Sequence, residues 1–305
     1  MTAAIDIVDT AGGMPDGFVV TDVATGRPSG LIRRAMRLWR TRVGLGLLVI
    51  VVGVAVLGPL FAPHGETEGV GIPNKSHVDG LLFGTDKLGQ DVWSRFLLGG
   101  RSILLFAIVA TALGLLFGVT IGLFCALNRG KLDELLMRSI DIILALPSLL
   151  LTLVAITTIG PETWLIIATV ALTTTPRIAR VTRGAAIVVV ERDFVAAAEA
   201  LGESRFRILR SELLPNVSGP LLVEANLRLT YSIGIVASLA FLGFSTDANG
   251  ANWGTMIQEN RLALAVQPWG VVLPTIAIAV LTISTGLLGD GFARANAGID
   301  RGRSE

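Results

Sequence analysis

The sequence has few charges, one cysteine and two histidines, and each scarcity excludes a class of protein. Only 16 % of the 305 residues are charged, below the roughly 25 % of soluble domains, whereas 52 % are hydrophobic and the mean hydropathy is +0.69. This balance indicates a chain that folds in a membrane. The single cysteine, Cys125, excludes an intrachain disulfide framework and a multi-cysteine metal cage. The net charge of +1 shows no basic surplus that would indicate a nucleic-acid partner.

The chain also lacks the motifs of an ATPase or a hydrolase. No Gly-x-x-x-x-Gly-Lys-Ser/Thr loop occurs, so the sequence offers ATP and Mg²⁺ no phosphate cradle of that type. His64 and His77 lie in one polar segment, where neither forms a credible pair with a nucleophile. Two histidines thirteen residues apart could bind nickel, but solvated loop histidines are the favoured reading. We therefore predict a non-catalytic chain with no metal and no cofactor of its own.

Six apolar stretches are candidates for membrane-spanning helices, which need about 20 residues each. They are Val43–Ala62, Ser102–Leu127, Asp141–Gly160, Thr163–Thr175, Val217–Phe244 and Pro268–Gly289. Most Lys and Arg residues fall on the side that holds both termini, which predicts a cytoplasmic location for both. The predicted fold is therefore an all-α membrane protein of about six transmembrane helices.

The same pattern predicts the organisation of the chain. The segments are a disordered cytoplasmic tail (1–30), a first span with an extracytoplasmic segment (31–101), a five-helix core (102–300) with a cytoplasmic loop (177–216), and a short tail (301–305). At the start of the loop, Arg177, Arg180 and Arg183 recur every three residues and extend the fourth helix. We read them as a cationic face at the lipid headgroups.

The insert Phe194–Pro215, FVAAAEALGESRFRILRSELLP, is the most unusual part of that loop. Its alanines predict a short helix with little side-chain bulk, and Gly202 supplies the permissive backbone that ends it. Ser204 is a plausible N-cap of a second helix, which Pro215 ends before the fifth span. Phe206, Leu209 and Leu213 share one face of that second helix. Helix–glycine–helix indicates a docking element, although an ordinary interhelical loop is an equally good reading of the spacing alone.

This insert resembles the EAA loop of bacterial ABC importer permeases. Ala197, Ala198, Gly202, Leu214 and Pro215 fall at matching positions, whereas Ala196 replaces the family glutamate and Glu212 replaces an isoleucine. Three other stretches resemble the dipeptide, oligopeptide and nickel branch of that family: Phe83–Leu104, Asp141–Leu150 and Leu287–Ala293. The resemblance covers about residues 31–300, in order and at compatible spacing.

The resemblance implies a type I ABC importer permease fold in a bacterial plasma membrane. It further implies a related second permease, ATPase subunits that bind ATP and Mg²⁺, and an extracytoplasmic substrate-binding protein as partners. The substrate class it implies is peptides, with nickel complexes and haem-like ligands as alternatives. The residues expected to contact the ATPase are Ala197, Ala198, Glu199, Gly202, Glu203, Ser204 and Pro215.

Two further groups of charged or aromatic residues are candidates. Glu224 and Arg228 are four residues apart inside the fifth span, so they can pair, either as a structural clamp or as part of a translocation path. We favour the structural role. On the outer face, the candidates for contact with a binding protein are Asp86, Asp91, Trp253 and Glu259, for each of which ordinary surface polarity is the simpler reading.

A self-sufficient secondary transporter or channel is the main alternative function. It would predict inverted repeats or several carboxylates within the spans, whereas the spans contain one Glu–Arg pair and no clear repeat. A membrane enzyme is disfavoured because no catalytic constellation is visible.

Overall fold

The computed structural model describes residues 28–245 and 250–297, with side chains from residue 32 onward. Every regular element in these ranges is helical, which confirms the predicted all-α class. Of the predicted tails, residues 1–27 and 301–305 lie outside the described residues.

Twelve α-helices follow one another in the described ranges. They are α1 (Pro28–Ala35), α2 (Trp39–Leu57), α3 (Val92–Leu98), α4 (Arg101–Leu127), α5 (Lys131–Ala145), α6 (Ser148–Ile159), α7 (Thr163–Val190), α8 (Asp193–Ala200), α9 (Arg205–Ile208), α10 (Leu214–Phe241), α11 (Trp253–Asn260) and α12 (Trp269–Ala297). Short 3₁₀ turns follow α2 and α11, and one π-helical turn, Leu209–Leu213, lies between α9 and α10.

The α4–α7 pair is the most extensive helix contact in the bundle. Gly114, Gly118 and Gly122 lie four residues apart on α4 and face α7. A Cβ atom on Gly118 would lie 2.6 Å from Cβ of Ile178, so any side chain there would push the helices apart. Small residues at this spacing let helix backbones approach closely where no hydrophobic effect drives association. Helix α10 packs on α4, α7 and α12, and α2 packs on α12.

The third predicted span is not one helix. The chain breaks between α5 and α6 at Leu146 and Pro147, where the two helix axes differ by 82°. Proline lacks an N–H group and disfavours helical geometry in the preceding residue, and Leu146 is indeed extended, with φ −87° and ψ 133°. The stretch Asp141–Gly160 is therefore a bent pair of helices and not one straight helix, and its crossing of the membrane as one span stays a prediction.

The fourth helix continues through Pro176, as the arginine spacing predicts, and ends at Val190. Pro215, by contrast, does not end the helix before the fifth span. The chain remains helical from Arg205 to Phe241, with Pro215 in the first turn of α10. The π-helical turn directly before it widens the helix, which relieves the clash between a proline ring and the carbonyl one turn earlier.

Three segments are both long and apolar enough to cross a membrane: Trp39–Leu60, Val92–Leu127 and Trp269–Ala297. The bent α5–α6 pair is a possible fourth. Helices α7 and α10 have 28 residues each, about 42 Å at 1.5 Å per residue, but α7 carries three arginines in the half that meets the insert and α10 carries Glu224 and Arg228. The total of six spans and the location of both termini remain predictions.

The two ends of the bundle differ in construction. At one end lies a segment that we call the cap, residues 61–100 and 250–268. At the other lies a segment that we call the elbow, residues 193–213. Because α10 starts directly after the elbow and ends close to the cap in sequence, the two segments are separated by about the 42 Å length of that helix. Each half of the bundle has its own apolar core.

Candidate functional site

The turn inside the elbow has the geometry that the sequence predicts. Gly202 has φ +76°, a conformation that favours glycine, and its N–H donates to the carbonyl of Glu199 at 3.0 Å. The N–H of Glu203 donates to the carbonyl of Ala198 at 3.1 Å, which completes the paired bonds of a Schellman helix end. Ser204 then caps α9 by accepting a hydrogen bond from the Arg207 N–H at 3.4 Å. This turn reverses the chain between two short helices.

The elbow is held against the bundle by three apolar side chains. Val195, Ile208 and Leu213 are at most 2 % exposed and pack with the ends of α4, α7 and α10. Ile208 and Leu213 are five residues apart and share a face because the π-helical turn adds a residue between them. Of the predicted apolar face, Leu209 and Leu213 pack on this core, and the prediction is wrong for Phe206. Phe206 points outward and is 72 % exposed.

The outer face of the elbow carries large apolar side chains that nothing in the described chain covers. Leu201 is 83 % exposed, Phe206 72 % and Phe194 41 %. Phe194 and Leu201 line a cleft of about 340 Å³ between α8 and the second half of the elbow. From sequence, Phe206 was assigned to an apolar face shared with Leu209 and Leu213, and Phe194 and Leu201 were not singled out. The exposure of Leu201 could have been predicted, because it directly precedes the glycine that ends α8 and its side chain projects from the tip of the turn.

Three of the seven residues predicted to contact an ATPase line this cleft, three others lie on the elbow outside its lining, and one lies beyond the elbow. Ala197, Ala198 and Glu203 line it, and Glu199, Gly202 and Ser204 are on the same elbow, with Glu199, Gly202 and Ser204 exposed. Pro215 is exposed but lies beyond the elbow and does not line the cleft.

Polar contacts fix the angle of the elbow. Arg207 forms an ion pair with Glu203 at 2.7 Å, and Arg205 donates to the side-chain oxygen of Asn128 at 2.6 Å. Asn128 directly follows α4, so the second contact joins the elbow to the α4–α5 turn. A movement of the elbow would therefore be transmitted to α4 as well as to α7 and α10.

A second candidate site is a charged cavity of about 420 Å³ roughly halfway along the bundle. It is lined by Leu144, Arg177, Arg180, Val181, Glu224 and Arg228. Glu224 and Arg228 pair as their spacing predicts, with 2.7 Å between Oε1 and Nε, and both are largely buried. The Nε–H bond does not point at the carboxylate, however, so this close ion pair lacks a hydrogen bond between these two atoms.

The three arginines of α7 have partners within the protein. Arg183 donates to both carboxylate oxygens of Asp133, at 2.7 and 2.6 Å, and Arg180 pairs with Asp141. Arg177 lies over the ring of Tyr231, 5.4 Å from its centroid. The interpretation of this row as a cationic face for lipid headgroups therefore does not describe Arg183, which bridges α7 to α5.

The cap buries the residues that were expected to face a binding protein. Asp86 and Trp253 are fully buried and Asp91 is 2 % exposed, so none of the three is available at the surface. Arg95, itself 2 % exposed, pairs with Asp86 at 2.5 Å and with Glu259 at 2.9 Å. The indole N–H of Trp253 donates to the carbonyl of Phe96 at 2.8 Å. These residues stabilise the cap, and only Glu259, whose side chain is 16 % exposed, reaches its edge.

The two histidines lie in the cap, in the segment before α3. His64 lies 3.3 Å from the carboxylate of Asp91, and His77 is exposed in the same segment. Within residues 28–245 and 250–297, no three His, Cys, Asp or Glu side chains are grouped so that they could hold an ion.

Comparison with known proteins places the chain in a family. Residues 118–297 match the model of the binding-protein-dependent transport system inner membrane component. A Brucella suis protein named for a peptide transport system permease is 35 % identical over 280 residues, which cover 91 % of this chain and 94 % of the relative. A di/tripeptide transport system permease protein of Pseudomonas aeruginosa is 32 % identical over 259 residues, covering 83 % and 86 %. An oligopeptide transport system permease protein of Bacillus subtilis is 31 % identical, covering 83 % of both chains.

The chain therefore belongs to the family of binding-protein-dependent transport system inner membrane components, as a permease subunit of an ABC importer. The fold agrees with this assignment. A chain of the inward-facing MetNI methionine ABC transporter superposes with a TM-score of 0.52 at 18 % identity, over 67 % of this chain and 95 % of that one. At this identity the likeness concerns the fold alone, and it confirms the predicted importer-permease architecture.

Proposed function

We propose that this chain carries short peptides across the inner membrane and receives the driving motion through its elbow. In this proposal ATP and Mg²⁺ bind to ATPase subunits on other chains, and this chain is not catalytic. A related second permease completes the path, and an extracytoplasmic binding protein delivers the peptide. The peptide assignment is supported by relatives whose names specify peptides, dipeptides, tripeptides or oligopeptides.

The observation that carries the coupling proposal is the contrast between the two faces of the elbow. Its inner face is anchored by buried Val195, Ile208 and Leu213, whereas its outer face exposes Phe194, Leu201 and Phe206. Exposed apolar side chains that rim a cleft are typical of protein–protein contact sites. An element that is rigidly attached on one side and apolar on the other can pass a rigid-body movement into the helices that hold it.

The family membership supports an importer and gives no support to a self-sufficient secondary transporter or channel. The substrate proposal is tested by uptake into proteoliposomes that contain the purified complex with its binding protein. We expect ATP-dependent uptake of a di- or tripeptide. Uptake of free nickel complexes or of haem without uptake of peptides would contradict the peptide assignment.

The docking proposal is tested by Leu201→Glu, with Leu262→Glu as its matched control. Both leucines are among the most exposed in the described chain, at 83 % and 92 %, but Leu262 lies in the cap. A glutamate in the elbow would place a charge in the apolar contact, so Leu201→Glu should lose most of the ATPase subunit that co-purifies with the permease. Leu262→Glu should retain it. Equal retention by both variants would contradict docking at the elbow.

A further inference from the structure

The charged cavity between α5, α7 and α10 has more positive than negative charge. Three arginines line it, whereas Glu224 and Asp141 are the acids paired with them. Glu224 pairs with Arg228 and Asp141 pairs with Arg180, so Arg177 is the one arginine of the three without an acidic partner. Among the residues that the structure describes, no acidic side chain lies within ion-pair distance of the Arg177 guanidinium. The cavity therefore carries one uncompensated positive charge about halfway through the bundle.

The Glu224–Arg228 pair lies at the wall of the cavity and is largely buried. Oε1 of Glu224 and Nε of Arg228 are 2.7 Å apart and inaccessible, so these two atoms face each other and not a ligand. The groups that the pair leaves for a ligand are the terminal N–H groups of Arg228, beside the guanidinium group of Arg177.

The arginines are held in place by the one tyrosine of the chain. The guanidinium carbons of Arg177 and Arg228 lie 5.4 Å and 5.9 Å from the centroid of Tyr231, and the Tyr231 hydroxyl hydrogen-bonds to Ser148 at the start of α6. Cation–π contacts restrict both guanidinium groups before any ligand arrives. The cavity is thus organised in advance for an anion.

We propose that this cavity binds the α-carboxylate of a peptide in transit, with Arg177 and Arg228 as the groups that contact it. The proposal rests on the peptide substrate argued above. A guanidinium group presents a planar fork of N–H donors that matches a carboxylate, and it remains charged at every physiological pH. Glu224 stays paired with Arg228 and keeps the net charge low, so the peptide can leave again. A site inside the path that held the carboxylate tightly would slow transport.

The test places 3-fluorotyrosine at position 231 of this chain in the assembled complex, where its ¹⁹F resonance reports on both arginines. Alanyl-alanine and N-acetyl-alanyl-alanine keep the carboxylate and should shift the resonance with similar Kd values. Alanyl-alanine amide lacks the carboxylate and should bind about tenfold more weakly or worse, as expected when a charged hydrogen-bonding pair is lost. Equal binding of the amide would overturn the proposal.

The variant Arg177→Gln should weaken binding of alanyl-alanine about tenfold, because it removes the uncompensated charge. Arg177→Lys should retain part of the affinity. Arg261→Gln in the cap, an exposed arginine outside the ion pairs of the described chain, serves as the control and should leave the Kd unchanged. An unchanged Kd in Arg177→Gln would overturn the proposal. The proposal would also be overturned if the resonance responded to inorganic phosphate as strongly as to the peptide, or if it responded to vesicles of anionic lipid and not to the peptide.

The two proposals fail separately. If the complex imports peptides but the resonance of residue 231 does not respond to them, the carboxylate site is wrong and the peptide function stands. If the resonance responds to alanyl-alanine but the complex with its binding protein imports no peptide, the peptide function is wrong although the cavity binds carboxylates.

Discussion

The cap and the elbow lie at the two ends of one helical bundle and differ in the side chains that they bury and expose. The cap turns charged side chains inward, where Arg95 joins Asp86 and Glu259 in a buried cluster. The elbow turns apolar side chains outward, where Leu201 and Phe206 remain exposed. Both segments expose single leucines, Leu262 in the cap and Leu201 in the elbow, so exposure alone does not distinguish them. The elbow differs because its exposed Phe194 and Leu201 line a cleft of about 340 Å³, as expected of a protein contact site, and this is the basis for proposing it as the docking surface.

The largest effect is expected from breaking the cap cluster with Arg95→Gln. The change leaves the fully buried Asp86 carboxylate without its counter-charge, and removal of one partner from a buried pair typically costs about 3–5 kcal/mol. We expect a much lower unfolding temperature in detergent and a low yield. The control Arg261→Gln alters an exposed arginine of the cap and should change the free energy of unfolding by less than about 0.5 kcal/mol. Similar stability of the two variants would mean that the cluster does not hold the cap together.

The next largest effect is expected on the buried face of the elbow, and it is compared with a change on the exposed face. Leu213→Ala removes a fully buried side chain and should destabilise the protein by about 2–5 kcal/mol. Phe206→Ala removes an exposed ring, so its free energy of unfolding should stay within about 0.5 kcal/mol of the wild type. Peptide uptake by Phe206→Ala should nevertheless fall about tenfold, if the ring is an aromatic anchor of the interface. A stable Phe206→Ala variant with full uptake would remove Phe206 from the docking surface.

A smaller structural effect with a large functional consequence is expected from Gly202→Trp. Gly202 has open space around it, so the indole can project into solvent and would obstruct a docked subunit. ATP hydrolysis should continue while peptide uptake is lost. Gly80→Trp is the matched control, because Gly80 has a similar φ, +84° against +76°, and open surroundings, but lies in the cap. The two changes have comparable values of φ, so a defect in uptake confined to Gly202→Trp would locate the effect in the elbow. An equal defect in both variants would indicate strain rather than docking.

The local features of the elbow and the cavity could be predicted from sequence. The helix end at Gly202, the N-cap at Ser204 and the pairing of Glu224 with Arg228 depend on residues within five positions of each other. Helix geometry alone determines which of these side chains meet. The small-residue spacing of Gly114, Gly118 and Gly122 was equally visible and would have predicted the close α4–α7 contact.

Other features depend on distant residues or on irregular backbone and were missed. Arg95 and Glu259 are 164 positions apart, and no local pattern shows that their pairing buries Asp86 beneath the surface of the cap. The π-helical turn at Leu209–Leu213 shifts the buried face by one residue, so Phe206 does not share a face with Leu209 and Leu213 as predicted and is exposed. The stretch Asp141–Gly160 was predicted as one span, and no local pattern gave the 82° angle between α5 and α6 at Pro147.

Crosslinking from the tip of the elbow tests the docking claim most directly. Cys125 is buried and is the only cysteine of the chain, so Leu201→Cys creates a single accessible thiol on this chain, which is labelled with a photoactivatable maleimide before the transporter is assembled. We predict a crosslink between position 201 and the ATPase subunit, and none from the matched variant Leu262→Cys in the cap. Absence of that crosslink from position 201, or equal crosslinking from position 262, would contradict the conclusion that ATP-driven motion enters this chain through its elbow.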